Sequence, residues 1–83
     1  MRITLKLFAT LAGHLPAGAR RNAAPLELPP GSSLEEALGH TGVPLEQVHL
    51  VILNGIFVAP EARPGTRLHE GDVLALWPPV AGG

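Results

Sequence analysis

The sequence predicts a single α+β domain in which a mixed five-stranded sheet carries one main helix on one face. Three local patterns support this fold class. Residues 2–8 alternate apolar with polar side chains, which is the period of a half-buried strand. Ser33 and Glu36 are spaced as a capping box ahead of an apolar run and so mark the start of a helix. Asn54-Gly55 separates two short apolar runs and is the strongest hairpin signal in the chain.

The first strand is followed by a long loop and a second, weaker strand. Residues 9–22 contain turn-forming residues, and we expect one helical turn near Thr10–Leu15. Leu26-Glu27-Leu28 alternates between Pro25 and Pro29-Pro30. Because proline removes a backbone donor, this short strand is predicted at an edge of the sheet.

The second half of the chain supplies the helix and three further strands. The helix that starts at Ser33 is predicted to end at Gly39 or Gly42. The remaining elements are predicted as a turn at Pro44–Gln47, strands at Val48–Leu53, Ile56–Val58 and Val73–Trp77, and a loop over residues 59–72.

An order of two strands, one helix and three strands within 83 residues suits the β-grasp arrangement. In that arrangement the first and fifth strands lie parallel in the middle of the sheet and the second strand lies at an edge. We predict a β-grasp domain over residues 1–77 and a flexible tail over residues 78–83.

Composition excludes several classes of function. The formal charge is −1, so nothing indicates a nucleic-acid partner. Cysteine is absent, which removes disulfides, thiolate metal sites and cysteine nucleophiles. The N-terminus lacks a signal-peptide core, and no apolar run is long enough to span a membrane. We therefore expect a cytoplasmic protein without a membrane partner.

Side-chain catalysis is also not indicated. The four histidines are scattered without metal-ligand spacing, so no metal site is predicted. The capping box and the first helical turn account for Glu35 and Glu36. No phosphate-binding glycine motif is present. We expect a protein that is not an enzyme and binds no cofactor of its own.

The last six residues form the most distinctive segment. Pro78-Pro79 favours a stiff, extended exit from the last strand, and the side chains then shrink from Val80 through Ala81 to Gly82 and Gly83. Such a tail can enter a slot too narrow for a Cβ atom. It would present the Gly83 carboxylate, which ATP can adenylate and a sulfur or nitrogen nucleophile can then attack.

Four stretches of the chain carry a family resemblance: Leu5-Lys6-Leu7-Phe8-Ala9, Val51-Ile52-Leu53-Asn54-Gly55, Glu70-Gly71-Asp72-Val73 and Leu76 to Gly83. With them the chain resembles the ubiquitin-like sulfur carriers of the MoaD/ThiS type along its whole length. MoaD is the small subunit of molybdopterin synthase, and ThiS is the sulfur carrier of thiamine thiazole synthesis. The closing pattern Pro-Pro-Val-x-Gly-Gly is typical of MoaD-like members.

The resemblance implies a partner-dependent chemistry. A ubiquitin-activating-like adenylyltransferase would use ATP to adenylate Gly83, and a sulfur donor would convert the acyl-adenylate to a thiocarboxylate. The tail, with Gly82 next to the reacting carbon, would insert into a molybdopterin synthase large subunit or a thiazole synthase. The short segment between Ser33 and Val48 is ThiS-like, so three roles stay open: molybdenum or tungsten cofactor synthesis, thiamine synthesis or tRNA thiolation, and protein modification.

A docking surface is predicted next to the tail. Strand alternation places Phe8 and Trp77 on the face away from the core leucines, and Phe57 matches a family position in the partner-facing patch. The alternative is that these rings fill a small core. The predicted partner-binding residues are Phe8, Phe57, Trp77, Pro78, Pro79, Val80 and Ala81.

Overall fold

The sheet has five strands, seen in a computed structural model that describes residues 1–79. The strands are β1 (Arg2–Leu7), β2 (Ala23–Glu27), β3 (Leu50–Leu53), β4 (Ile56–Phe57) and β5 (Val73–Trp77). Their order across the sheet is β2-β1-β5-β3-β4, and only β1 and β5 run parallel. The predicted parallel pair and edge position of the second strand are therefore confirmed.

Within residues 1–79 the chain has one α-helix, α1 (Leu34–Leu38), and its buried residues join the core with the inner face of the sheet. Ser33 caps it: the Glu36 N–H donates to Ser33 Oγ at 3.1 Å, and the Ser33 N–H donates to Glu36 Oε1 at 2.9 Å. The helix ends at Gly39. The predicted capping box is therefore present, and Gly39 rather than Gly42 terminates the helix.

The core lies between α1 and the inner face of the sheet. Alternate residues of β1 and β5 point into it, with Leu7, Leu74 and Leu76 fully buried. Leu34 and Ala37 meet them from the helix and are also fully buried. This alternation leaves the even-numbered residues of β1 and the odd-numbered residues of β5 on the outer face.

Several strand boundaries differ from the sequence prediction. β1 ends at Leu7 rather than at residue 8, and β4 ends at Phe57 rather than Val58. The second strand spans Ala23–Glu27 rather than Leu26–Leu28, and Pro25 lies inside it, opposite Thr4. An edge strand can contain proline because it pairs on one side only. The third strand begins at Leu50 rather than Val48, since the segment before it forms a 3₁₀ turn, Leu45–Gln47.

Two further 3₁₀ helices occupy connections. Ala9–His14 matches the predicted turn after β1, whereas Pro60–Gly65 lies in a segment predicted as an irregular loop. Pro60 near its start and Pro64 inside it suit a short helix with few backbone donors. Within residues 1–79, no helix has the length and apolar character needed to cross a membrane.

Candidate partner-binding face

The outer face of the sheet carries a stacked pair of aromatic rings. The Phe8 and Trp77 rings lie with centroids 4.4 Å apart and planes 7° apart. Both side chains are half-buried. Their position follows from sheet register, since Leu7 pairs with Leu76 on the inner face and the next residue of each parallel strand points outward.

The backbone around this pair is fixed by hydrogen bonds. The Phe8 N–H donates to the Leu76 carbonyl at 3.1 Å, and the His49 N–H donates to the Trp77 carbonyl at 2.9 Å. Both bonds lie at the end of β5, where the chain passes to Pro78 and Pro79. The stacked rings are therefore held directly beside the exit of the C-terminal segment.

Phe57 extends the outer face toward its other edge. Phe57 pairs with Ile52, which pairs with Ala75 of β5. The Phe57 side chain is 57% exposed and lies two strands away from Trp77. The structure therefore places all three predicted rings on one face but brings only Phe8 and Trp77 into contact.

Three apolar residues of this face were not predicted as site residues. The three are Leu50, Ile52 and Ala75. Leu50 pairs with Trp77 and Ile52 pairs with Ala75, so their side chains point to the outer face. The signal was present in the Val48–Leu53 run, whose apolar residues occupy both faces of the strand. A strand that is apolar on both faces beside an aromatic residue predicts a covered outer surface.

The rest of the predicted site is only partly within the described residues. Pro78 is half-buried and Pro79 is exposed. Val80, Ala81, Gly82 and Gly83 lie outside the described residues, so their predicted roles stay predictions. Within residues 1–79, no group of three metal-ligating side chains is present.

A model of the ThiS family matches residues 14–83 of this sequence. The chain belongs to the ThiS family. No curated protein matches it. The family match covers β2, the helix, β3 to β5 and the C-terminal segment, and so confirms the resemblance noted in the sequence.

Solved structures with the same fold come from archaea and bacteria. SAMP1 from Haloferax volcanii is 27% identical with a TM-score of 0.71, and the alignment covers 100% of both chains. A putative molybdopterin converting factor subunit 1 from Pyrococcus furiosus is 22% identical with a TM-score of 0.64, over 95% of this chain and 98% of that one. These similarities confirm the ubiquitin-like β-grasp fold.

A third structure shows a relative of this fold in a complex. It contains subunits 1 and 2 of the molybdopterin-converting factor from Helicobacter pylori. The matched chain is 22% identical with a TM-score of 0.60, and 100% of each chain is covered. At this identity the similarity establishes the fold of the present chain alone.

Proposed function

We propose that this protein is a sulfur carrier that holds sulfur as a thiocarboxylate on Gly83. The observation that carries the proposal is the ThiS-family match, because it runs through residue 83 and so includes the Gly82-Gly83 pair. The chain would supply a backbone carboxylate and no catalytic side chain. Nucleotide, metal and catalytic groups would belong to its partners.

Loading of sulfur onto Gly83 would take two steps. A carboxylate oxygen of Gly83 attacks the α-phosphorus of ATP on an activating enzyme, and pyrophosphate leaves. A sulfide-equivalent nucleophile from a sulfur donor then attacks the acyl carbon, and AMP leaves with the original oxygen. Sulfur replaces one oxygen without a net change in the oxidation state of carbon.

The outer face would be the docking surface for these partners. Phe8, Trp77 and Phe57 give it an apolar centre, and large aromatic side chains are enriched among residues that dominate binding energy. Pro78 and Pro79 follow the stacked pair directly and restrict the backbone that leads to Gly83. A partner bound over the rings would therefore meet a tail that leaves the domain in a limited range of directions.

The favoured pathway is molybdenum or tungsten cofactor synthesis, with this chain as the small subunit of a molybdopterin synthase. The tail motif and the fold shared with the P. furiosus and H. pylori subunits support that assignment. A thiamine or tRNA-thiolation carrier uses the same chemistry and is the second pathway.

Protein modification is the third candidate, supported by the fold shared with the small archaeal modifier protein 1 of H. volcanii. A modifier would be joined through Gly83 to lysine side chains of other proteins. Peptide mass spectrometry of conjugates distinguishes that outcome from a free carrier.

The decisive experiment is intact-mass spectrometry after incubation with a ubiquitin-activating-like adenylyltransferase, ATP and sodium sulfide. We expect a species heavier by the difference between sulfur and oxygen, localised to the C-terminal peptide. Omitting ATP is the control and should abolish it. If the mass stays unchanged while the enzyme activates a known carrier, the carrier function is rejected.

The same thiocarboxylated protein can then identify the pathway. It is offered separately to a molybdopterin synthase large subunit and to a thiazole synthase, with a precursor pterin or the thiazole substrates. Transfer of sulfur in the first assay, and not in the second, supports the molybdopterin assignment. The reverse result assigns the protein to thiamine synthesis.

A further inference from the structure

Basic side chains cluster at the end of the sheet where Phe8 and Trp77 stack. The first 26 residues contain four lysines or arginines and no aspartate or glutamate. One of the four, Arg2, is paired with Glu27 at the opposite end of β1. The other three, Lys6, Arg20 and Arg21, lie toward the Phe8 end, although the whole chain has a net charge of −1.

The turn that carries two of these cations is fixed beside Phe8. Arg20 and Ala23 exchange two backbone hydrogen bonds, of 3.1 and 2.9 Å, around Arg21-Asn22. The Leu7 N–H donates to the Asn22 carbonyl at 2.9 Å, and Asn22 Nδ2 donates to the Leu7 carbonyl at 2.9 Å. The turn is thereby tied to the residue that precedes Phe8.

Arg21 occupies a backbone conformation that disfavours its side chain. Arg21 has φ 51° and Asn22 has φ 65°, which are the two left-handed positions of a type I′ turn. Asparagine and glycine adopt this region readily, whereas a residue such as arginine is disfavoured there because its Cβ atom crowds the following carbonyl oxygen. The Arg21 side chain is exposed and makes no ion pair within residues 1–79. A strained, exposed arginine outside any ion pair of the described residues motivates the hypothesis that its side chain is used in binding.

Lys6 connects the turn to the centre of the face. It pairs with Ala23 on β2 and with Ala75 on β5, so it points to the outer face two residues before Phe8. β3, β4 and β5 contain no charged residue. Lys6, Arg20 and Arg21 form no ion pair within residues 1–79, so their charge is available to a partner.

We propose that Lys6, Arg20 and Arg21 form a basic rim of the docking face and select a partner surface that has an apolar centre and carboxylates beside it. The identity of the partner, an activating enzyme or acceptor subunit, rests on the proposed function. The expected charge of the partner surface does not. Charges at the rim of an interface steer association and suppress wrong partners more than they add affinity. Single-stranded RNA is disfavoured because the two rings stack on each other and the protein is net acidic.

The test uses the full ¹⁵N-labelled chain and two peptide probes observed by NMR. The first probe is the acetylated peptide Glu-Leu-Glu-Phe-Glu-Glu, and the second has glutamine in place of every glutamate. We expect the acidic probe to shift the backbone signals of Phe8, Trp77 and Arg21 and to bind at least roughly threefold more tightly than the neutral probe at about 50 mM salt. The difference should fall below about 1.5-fold at about 500 mM salt.

Variants at the turn separate the binding role from a structural one. Arg21→Gly relieves the left-handed strain, so its melting temperature should stay equal or rise while the acidic probe binds roughly three- to fivefold more weakly. Arg21→Lys should retain most of the binding. Ala62→Glu is the control, since it lowers the net charge equally at an exposed site of Pro60–Gly65, the 3₁₀ helix that packs against α1.

The proposal is overturned if the two peptides bind equally, if Ala62→Glu weakens binding as much as Arg21→Gly, or if an oligouridine probe binds the same face more tightly than the acidic peptide. The probes require neither Gly83 nor an activating enzyme. A chain that prefers the acidic peptide but never acquires sulfur would therefore refute the carrier function and retain the basic rim.

Discussion

Phe8 and Trp77 stack face to face on the outer side of the sheet, with ring centroids 4.4 Å apart. They come from opposite ends of the sequence and meet because β1 and β5 are parallel neighbours. The contact lies one residue before Pro78, where the chain leaves the domain. This arrangement joins a candidate binding surface to the segment that would react.

Trp77→Ala should weaken partner binding more than it weakens the fold. Trp77 is half-buried, so we expect a loss of about 1–2 kcal/mol in unfolding free energy, below the roughly 3–5 kcal/mol typical of a buried aromatic residue. Binding to the activating enzyme should weaken by about 1–3 kcal/mol. Denaturant unfolding and a binding titration measure the two effects.

Val73→Ala, on the same face at the other end of β5, is the control and should leave binding intact. Large destabilisation with normal binding would assign Trp77 to the core.

Deleting Gly83 should abolish adenylation without affecting the fold. The last residue of the sheet is Trp77, so the deletion removes no strand or core contact from the described domain. Melting temperature and ATP–pyrophosphate exchange are measured on the same preparation. An intact rate of exchange in the truncated protein would contradict a reactive Gly83 carboxylate.

Gly82→Val should fold normally but fail in sulfur transfer. A β-branched side chain next to the reacting carbon would clash in a channel shaped for bare backbone. Turnover in a reconstituted transfer assay tests this, with Val80→Ile as a matched control that adds bulk farther from Gly83. Unchanged turnover of the Gly82 variant would argue against a narrow channel.

The capping box should make stability depend on pH in the acid range. The Ser33 backbone N–H, and then its hydroxyl, lower the pKa of Glu36 below its ordinary value of 4.5. A lowered folded-state pKa means that the stabilisation is present above about pH 4.5 and is lost as the pH falls through the folded-state pKa. Urea unfolding between about pH 3 and 7 should show a smaller pH dependence for Glu36→Gln. An identical dependence in both proteins would exclude this contribution.

Asn54 should stabilise the β3–β4 turn through its backbone and tie that turn to the start of β5 through its side chain. It has φ 51°, its Oδ1 accepts from the Val73 N–H at 2.9 Å, and its Nδ2 donates to Asp72 Oδ1 at 3.0 Å. Asn54→Gly keeps the left-handed turn but loses both bonds, for an expected cost of about 1–2 kcal/mol. Asn54→Ala should cost about 1 kcal/mol more because it also strains the turn. Equal unfolding free energies for the two variants would contradict the strain component.

Local patterns in the sequence determined most of the elements. The strict alternation in β1, the capping box at Ser33 and Glu36, and the Asn54-Gly55 turn each depend on residues a few positions apart, and the structure contains all three. β2 was less predictable. Ala23, Ala24 and Pro25 have no strand signature, and they become a strand only because β1 offers them a partner.

The surface was decided by contacts that no local pattern contains. The alternation of side chains along each strand was enough to place Phe8 and Trp77 on the outer face. Their stacking depends on the parallel register of β1 against β5. The basic rim likewise exists because the Arg21-Asn22 turn is hydrogen-bonded to Leu7. Hydrophobic period and turn chemistry are local properties, so the sequence by itself determined most of the elements, the fold class and the family resemblance. Pairing between distant strands is a tertiary property, and it alone decided which rings and charges lie side by side.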